Sequence, residues 1–286
     1  MKFSDKRTTA QDIMTVQNAN RQWWTDHTMS YGWNEKVGIS KFSGQWFDDI
    51  DKRFIHASRL FAHDQKPFDR IIPFDRLKDC TVLEIGCGMG LHTELMARAG
   101  AMLLSIDISD TSIDATTRRM SLKGLSADVR RMDAEELDFA DNSFDFVWSW
   151  GVIHHSARTG RIVREIHRVL KPGGEVRVMV YNLEGMAAYV SIARRYMLGF
   201  WRKNSLDECL WRSSDGYSAR FYTKDLLEDV FNTFFTDVSA ESFGQDADAV
   251  PLPRRLRAPV LRMMRIATVK RLANQRGALL FVTGRK

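Results

Sequence analysis

The chain has 286 residues, 44 % hydrophobic and 27 % charged, proportions of an ordinary globular protein that exclude disorder and fibrous repeats. Its three cysteines, Cys80, Cys87 and Cys209, are too few and scattered for a disulfide framework, and none forms the Cys-x-x-Cys spacing of a zinc or redox site. The formal charge of +6 belongs to the tail: residues 251–286 hold ten Lys and Arg and no Asp or Glu, leaving 32 basic against 36 acidic residues elsewhere, so the basicity is a local feature able to meet anionic lipid, phosphate groups, RNA or only water.

The start, MKFSDKRTTAQD, is polar and has no apolar signal core. No apolar run approaches the roughly 20 residues of a spanning helix, so the expectation is a soluble, cytoplasmic protein with one core and an added cap. Residues 1–75 read as a helical cap or lid: an aromatic-rich stretch (Trp23, Trp24, Tyr31, Trp33, Phe42, Trp46, Phe47), then a helix through Phe54 to Phe61. From Cys80 short apolar runs alternate with amphipathic stretches, the pattern of βα units on a parallel sheet.

Strands are expected at Thr81–Ile85, Met102–Asp107, Asp128–Met132, Phe144–Ser149 and Gly174–Tyr181, each a β-rich run bounded by Gly, Asp or Asn. Helices fit between them at His92–Arg98, Thr111–Lys123 and Gly160–Leu170, the last ending at the breaker Lys171-Pro172-Gly173-Gly174. This core spans residues 76–182. Residues 183–222, with Trp201, Trp211, Tyr217 and Tyr222, form an insertion too long for a simple connection, a length more typical of a functional lid. Residues 223–286 complete the core with a helix from Thr223 and two strands, Thr236–Ser242 and Ala278–Gly284, set as an edge pair around a basic helical insertion at about 245–277. Within it, Pro259 to Ala273 is compatible with a basic amphipathic helix, which either meets a membrane surface or caps the site with its charges in water.

The segment Val82-Leu83-Glu84-Ile85-Gly86-Cys87-Gly88-Met89-Gly90 follows the first strand, where an open α/β sheet places its ligand. Gly-x-Gly alone is weak, because a dinucleotide site begins the same way and has an acid about 20 residues on. Asp107 stands at that distance from Gly86 and fits either cofactor. Three details discriminate. The loop reads Glu-x-Gly-x-Gly-x-Gly rather than Gly-x-Gly-x-x-Gly; Glu84 puts a carboxylate beside the turn, which suits a cationic cofactor better than a pyrophosphate; and Asp133-Ala134, Phe144-Asp145-Phe146-Val147 and Leu170-Lys171-Pro172-Gly173-Gly174 follow in order.

With these segments, residues 80–182 resemble the class I S-adenosylmethionine-dependent methyltransferases, in particular the broad small-molecule group labelled type 11. The resemblance implies a Rossmann-like α/β fold: a seven-stranded, mostly parallel sheet with helices on both faces, plus a helical cap and insertions. It implies S-adenosyl-L-methionine as cofactor and S-adenosyl-L-homocysteine as product. Gly86, Cys87, Gly88 and Gly90 would then line the methionine half with Glu84 nearby, Asp107 would bind the ribose hydroxyls, Ile108 would pack on adenine, Asp133 would accept from the adenine amino group beside Ala134, and Trp150 and Gly151 would close the other side. Singly, each has a plainer reading: Cys87 as a small turn residue, Asp107 as a strand-end cap, Asp133 as a solvated turn.

Methyl transfer needs alignment and exclusion of water more than a protein nucleophile, and a general base helps a hydroxyl or protonated amine. His154 and His155, just past the fourth strand, are the candidates, against a purely structural or cofactor-shielding role. Metal binding is not expected, as adjacent histidines point apart and no third ligand is spaced for it. Tyr181 and Asn182 end the fifth strand on the acceptor side, and Trp23, Trp24, Tyr31 and Trp33 are expected to close over it as a lid. The leading reading is methylation of a small, partly apolar molecule at oxygen, nitrogen or carbon. Nucleic acid is the disfavoured partner, since Ser149-Trp150-Gly151 replaces the Asp/Asn-Pro-Pro-Tyr pattern of base amino methylation and no RNA-binding module is visible. A membrane-surface lipid methyltransferase using the basic segment is a further alternative; a nicotinamide oxidoreductase is not supported by the loop, and a cofactor-binding protein without catalysis stays open.

Overall fold

The computed structural model describes residues 10–27, 29, 39–63, 66–197 and 205–286; Tyr31, Trp33 and Trp201 lie outside them. Two helices, α1 (Ala10–Asp26) and α2 (Gly44–Ala57), precede the sheet. Alternating units follow: β1 (Thr81–Ile85), α3 (Leu91–Arg98), β2 (Met102–Asp107), α4 (Asp110–Lys123), β3 (Asp128–Arg131), β4 (Phe144–Trp150), α5 (Thr159–Val169) and β5 (Leu170–Asn182). An insertion carries α6 (Met186–Ser191), a π-helical turn at Ile192–Met197, and α7 (Leu206–Trp211). The chain ends through β6 (Phe221–Tyr222), α8 (Lys224–Asn232), β7 (Thr236–Phe243), α9 (Asp246–Ala249), α10 (Arg254–Met263), α11 (Ile266–Gln275) and β8 (Leu279–Arg285).

The strands run in the order β3-β2-β1-β4-β5-β8-β7, with β6 paired to the end of β5. All pairs up to β5 are parallel, whereas β8 lies antiparallel to both β5 and β7. Seven strands therefore form the main path as expected, and the two-residue β6 is an eighth that the aromatic-rich insertion concealed. Lys171–Gly174 breaks no strand: α5 stops at Val169, and the four residues sit inside β5 as an irregularity where pairing jumps from Phe144 with Leu170 to Phe146 with Glu175. Gly173 takes φ +80 there, which a glycine adopts freely. The cap helix also differs from expectation. It runs Gly44–Ala57, capped by the Ser43 hydroxyl accepting from Trp46 N, and Arg59–Phe61 is a separate 3-10 turn beyond Ser58.

Side chains alternate across each strand, and here both faces are apolar. Leu83 and Ile85 of β1, Val176, Val178 and Val180 of β5, and Leu280 and Val282 of β8 pack against α5 and α8. Val82, Met179, Leu279 and Phe281 face the other way, against Phe54, Phe61, Phe68 and α3. Strands buried on both faces are what a doubly wound sheet produces. A buried cation fastens α2 of the cap. Arg119 of α4, fully buried, donates through Nε to Glu94 (2.8 Å), through both terminal nitrogens to Asp51 of α2, and to the Met89 carbonyl (3.2 Å). Its partners neutralise a charge that would otherwise be very costly to bury.

Candidate active site at the strand switch point

Between β1 and β4 the order of connection reverses, and in open α/β sheets that crevice, at the carboxyl ends of the strands, is where ligands bind. A cavity of about 550 Å³ opens there, within the size of small-molecule sites. One half is built from strand ends. Gly86 N and Cys87 N both donate to Ile106 O (2.7 and 3.1 Å), which turns the loop back across β2. Gly86 takes φ +86, and a Cβ there would stand 2.1 Å from Val152 Cγ2, so the sequence can place only glycine at this bend. Asp107 accepts from Gly88 N (3.0 Å) and Ser109 N (2.9 Å); burial raises its pKa, and these bonds counter the rise. Asp133 accepts from Glu135 N (2.9 Å) and, with both oxygens, from Gln17 Nε2 (3.0 Å each).

The other half is assembled across the chain. Trp24 and Asn20 of α1, Phe54 of α2, His92, Trp150, Met179, Tyr181, His155, Asp215 and Gln245 line it. His155 Nδ1 lies 2.6 Å from Ser218 O. A carbonyl only accepts, so Nδ1 carries the proton and Nε2 is left with its lone pair. Asn20 Nδ2 donates to His155 O at 2.7 Å, and the Trp24 ring meets the imidazole edge-on at 5.0 Å. Burial pulls the His155 pKa down to about 4, so the ring is neutral near pH 7. Gly216 makes room for it, since a Cβ there would sit 2.5 Å from Nδ1.

Of the residues picked out from sequence, Gly86, Cys87, Gly88, Asp107, Ile108, Asp133, Ala134, Trp150, Gly151, His155, Tyr181 and Trp24 line the cavity. Others are placed behind it. Glu84 is buried, accepting from the Thr93 and Ser105 hydroxyls (2.5 and 2.8 Å), with its pKa raised to about 7 by burial. Gly90 caps α3 against Thr116 and Arg119. His154 is fully buried between His155 and Tyr181, neither ring nitrogen has a partner among the described residues, and burial holds its pKa well below the usual value. Asn182 closes a turn, donating to Gly277 O (2.7 Å) and accepting from Glu184 N. Trp23 stacks on His27.

Gln17, Asn20, His92, Asp215 and Gln245 were not singled out from sequence. Their signal is three-dimensional only, save that His92 follows the glycine loop directly. Its Nδ1 accepts from Trp148 Nε1 (3.3 Å), and burial depresses its pKa to about 3. Among the described residues, no cluster of three or more His, Cys, Asp or Glu side chains could hold a metal ion.

A glycine turn at the switch point, followed by carboxylates at the ends of two successive strands, defines a nucleotide-type cofactor site in an α/β protein. Comparison with known proteins gives the particular family. A family model described as a methyltransferase domain matches residues 83–178. The chain is 30 % identical over 185 residues to a ubiquinone biosynthesis O-methyltransferase of Parvibaculum lavamentivorans, covering 60 % of this chain and 72 % of that protein. It is 27 % identical over 223 residues to a 2-methyl-6-phytyl-1,4-hydroquinone methyltransferase of Synechocystis sp., covering 75 % and 66 %. In fold it is similar to phosphoethanolamine N-methyltransferase 2 of Haemonchus contortus, solved in complex with S-adenosyl-L-methionine, at a TM-score of 0.54 and 18 % identity, covering 88 % of this chain and 61 % of that one. The chain belongs to the class I S-adenosylmethionine-dependent methyltransferases.

Proposed function

We propose that this methyltransferase transfers a methyl group to a hydroxyl of a small, partly apolar acceptor of the phenol or quinol class, with His155 as general base. The observation that carries the reading is the state of His155: neutral, oriented by Ser218 O, and placed on the cavity wall with Nε2 left to accept. The names of the two relatives, a ubiquinone biosynthesis O-methyltransferase and a 2-methyl-6-phytyl-1,4-hydroquinone methyltransferase, support an acceptor of the quinol class, and the first supports oxygen as the methylated atom.

The cavity residues fit the cofactor. Gly86 and Gly88 bring a side-chain-free backbone to the wall; Asp107 and Asp133 offer carboxylates suited to a ribose diol and an adenine amino group; and Ile108, Met132 and Ala134 give an apolar slot between them. When bound, S-adenosylmethionine supplies an electrophilic methyl on a sulfonium. The protein's task is alignment. Phe54, Trp150 and Met179 exclude water from the acceptor side, which strengthens every polar contact made there. His155 Nε2 receives the hydroxyl proton as the oxygen gains positive charge, a role worth about 10² to 10⁴ in rate. A group with a pKa of about 4 holds no proton at rest near pH 7 but is a weak base, so it takes the proton only as methyl transfer turns the hydroxyl oxygen into a strongly acidic oxonium.

The test is product analysis with a panel of hydroquinones and catechols of increasing alkyl length. An aryl methyl ether is the expected product, and turnover should improve with the apolar substituent. A product methylated at carbon or nitrogen, or preference for the most polar member, overturns the reading.

A further inference from the structure

We infer that α10, with the start of α11, is a docking surface for an anionic phospholipid bilayer. The helix buries none of its residues. Leu256, Val260 and Met263 are 61, 38 and 88 % exposed, and their spacing of four and three puts them on one face. Leu252 before the helix and Ile266 after it add exposed apolar side chains at its two ends, 42 and 52 % exposed. Leu261 falls on the opposite side and packs against the small cluster of Leu60, Val269 and Ala273. The apolar face therefore points away from the protein, where a soluble surface would carry polar groups.

Charge decides what the face meets. Arg254, Arg255, Arg257, Arg262, Arg265, Lys270 and Arg271 stand between residues 254 and 271 with no acidic residue among them. Among the described residues, no ion pair engages Arg254, Arg255, Arg262 or Arg265. On the helix, Arg255 and Arg262 flank the apolar stripe on one side and Arg257 on the other. A basic-flanked apolar stripe on an exposed helix matches a bilayer interface, with leucine and methionine among the acyl chains and guanidinium groups at the phosphates. Nucleic acid would use the arginines and leave the stripe in water. The placement also serves the site: β8 begins opposite the end of β5, Tyr181 pairing with Leu279, and Gln245, Ala278 and Leu279 line the cavity. The insertion thus runs from the cavity wall to the outward face, at the end of the sheet where an apolar acceptor would enter. That last step rests on the proposed acceptor; the docking does not.

The test uses the full chain and extruded vesicles of phosphatidylcholine alone or with about one third phosphatidylglycerol, separated by sedimentation. Binding at low salt should be at least about tenfold stronger to the anionic vesicles and should fall steeply by 0.5 M salt. The double variants Leu256→Glu/Met263→Glu and Arg255→Glu/Arg262→Glu should each lose about tenfold, while both keep the thermal shift given by S-adenosylhomocysteine, which shows that they are folded. Absence of binding to anionic vesicles, equal binding by the variants, or displacement from vesicles by stoichiometric RNA would each overturn the proposal. None of these outcomes bears on which acceptor is methylated.

Discussion

The two halves of the cavity are made in different ways. The half proposed for the cofactor is built at the ends of β1, β2 and β3 from loop backbone and the Asp107 and Asp133 carboxylates. The acceptor half is a meeting of α1, α2, the turn after β4, the 215–218 loop and Gln245, segments more than a hundred residues apart in places. The first is fixed by local sequence; the second is held by side-chain bonds between distant segments.

The strictness of the cofactor half gives the largest expected effect. Gly86→Ala adds a Cβ in the left-handed region at a cost of about 1–2 kcal/mol and drives it to 2.1 Å from Val152 Cγ2. Affinity for S-adenosylhomocysteine, measured by calorimetry, should fall by about a hundredfold or more, a loss of some 2.7 kcal/mol. Adding Val152→Ala should restore part of it by removing the clash. Gly88→Ala meets no atom within 4 Å and should cost far less. Equal losses at the two glycines would show that strain, not contact, rules the loop.

In the acceptor half the sharpest contrast lies between adjacent residues. His155→Gln should lower turnover by about 10² to 10³ at unchanged cofactor affinity. His154→Phe should change it by no more than a few-fold, because His154 lies behind the wall with no polar contact to lose. A base held at about 4 is protonated only as pH falls through that value, so kcat/KM should be flat with respect to it between pH 6 and 8. An acid limb near 6.5 that disappears in His155→Gln would mean that the histidine is more solvated than its burial implies.

That contrast marks the limit of what the sequence discloses. Strand ends carry their own signals: Gly86 and Asp107 stand at boundaries set by runs of apolar residues, Asp133 follows the short edge strand β3, and the order of the βα units fixes which ends converge. The pair His154-His155 was visible, but not which member faces the cavity. That is decided by the 3-10 turn at Ile153–His155 and by Ser218 O, which arrives from 63 residues downstream. Gln17 and Asn20 sit in a polar helix and look solvated in one dimension. The Lys171-Pro172-Gly173-Gly174 breaker does end the helix, α5 stopping at Val169, but β5 starts at Leu170 rather than Gly174 because the sheet absorbs the Pro-Gly pair as an irregularity flanked by paired residues.

The halves should also titrate in opposite senses. His92 is held at about 3, His155 at about 4 and His154 well below the ordinary value, all by burial. Unfolded, each takes a proton near 6.5, so the unfolded chain binds more protons and stability falls as pH falls below 6.5. Glu84, raised by burial to about 7 from 4.5, keeps its proton in the native state over most of the same window and offsets one of the three. The histidines outnumber the opposing Glu84, so the unfolded chain gains more protons on acidification and stability falls with pH. Melting temperatures should drop between pH 7 and 5.5; Glu84→Gln, which cannot offset, should make the drop steeper. A flat profile would contradict the burial of the three rings.

Gln17 joins the halves, and its loss should be the smallest effect. Its Nε2 donates to both Asp133 oxygens, and its Oε1 accepts from Ala157 N at 3.2 Å, two residues past His155. Two consequences of Gln17→Ala oppose each other. Asp133 is freed of a competing donor, which favours an incoming adenine; α1 loses its clasp on the site, which disfavours it. A carboxylate has about four acceptor positions, and Gln17 with Glu135 N takes three, leaving room for a ligand donor, so the clasp should prevail. With the bonds half-buried and partly replaceable by water, the loss is about 1 kcal/mol, or some fivefold in cofactor affinity, accompanied by a rise in the acceptor KM because Asn20 on the same helix holds the His155 carbonyl. Tighter cofactor binding with an unchanged acceptor KM would reverse the assignment, making Gln17 a competitor for Asp133 and the two halves independent.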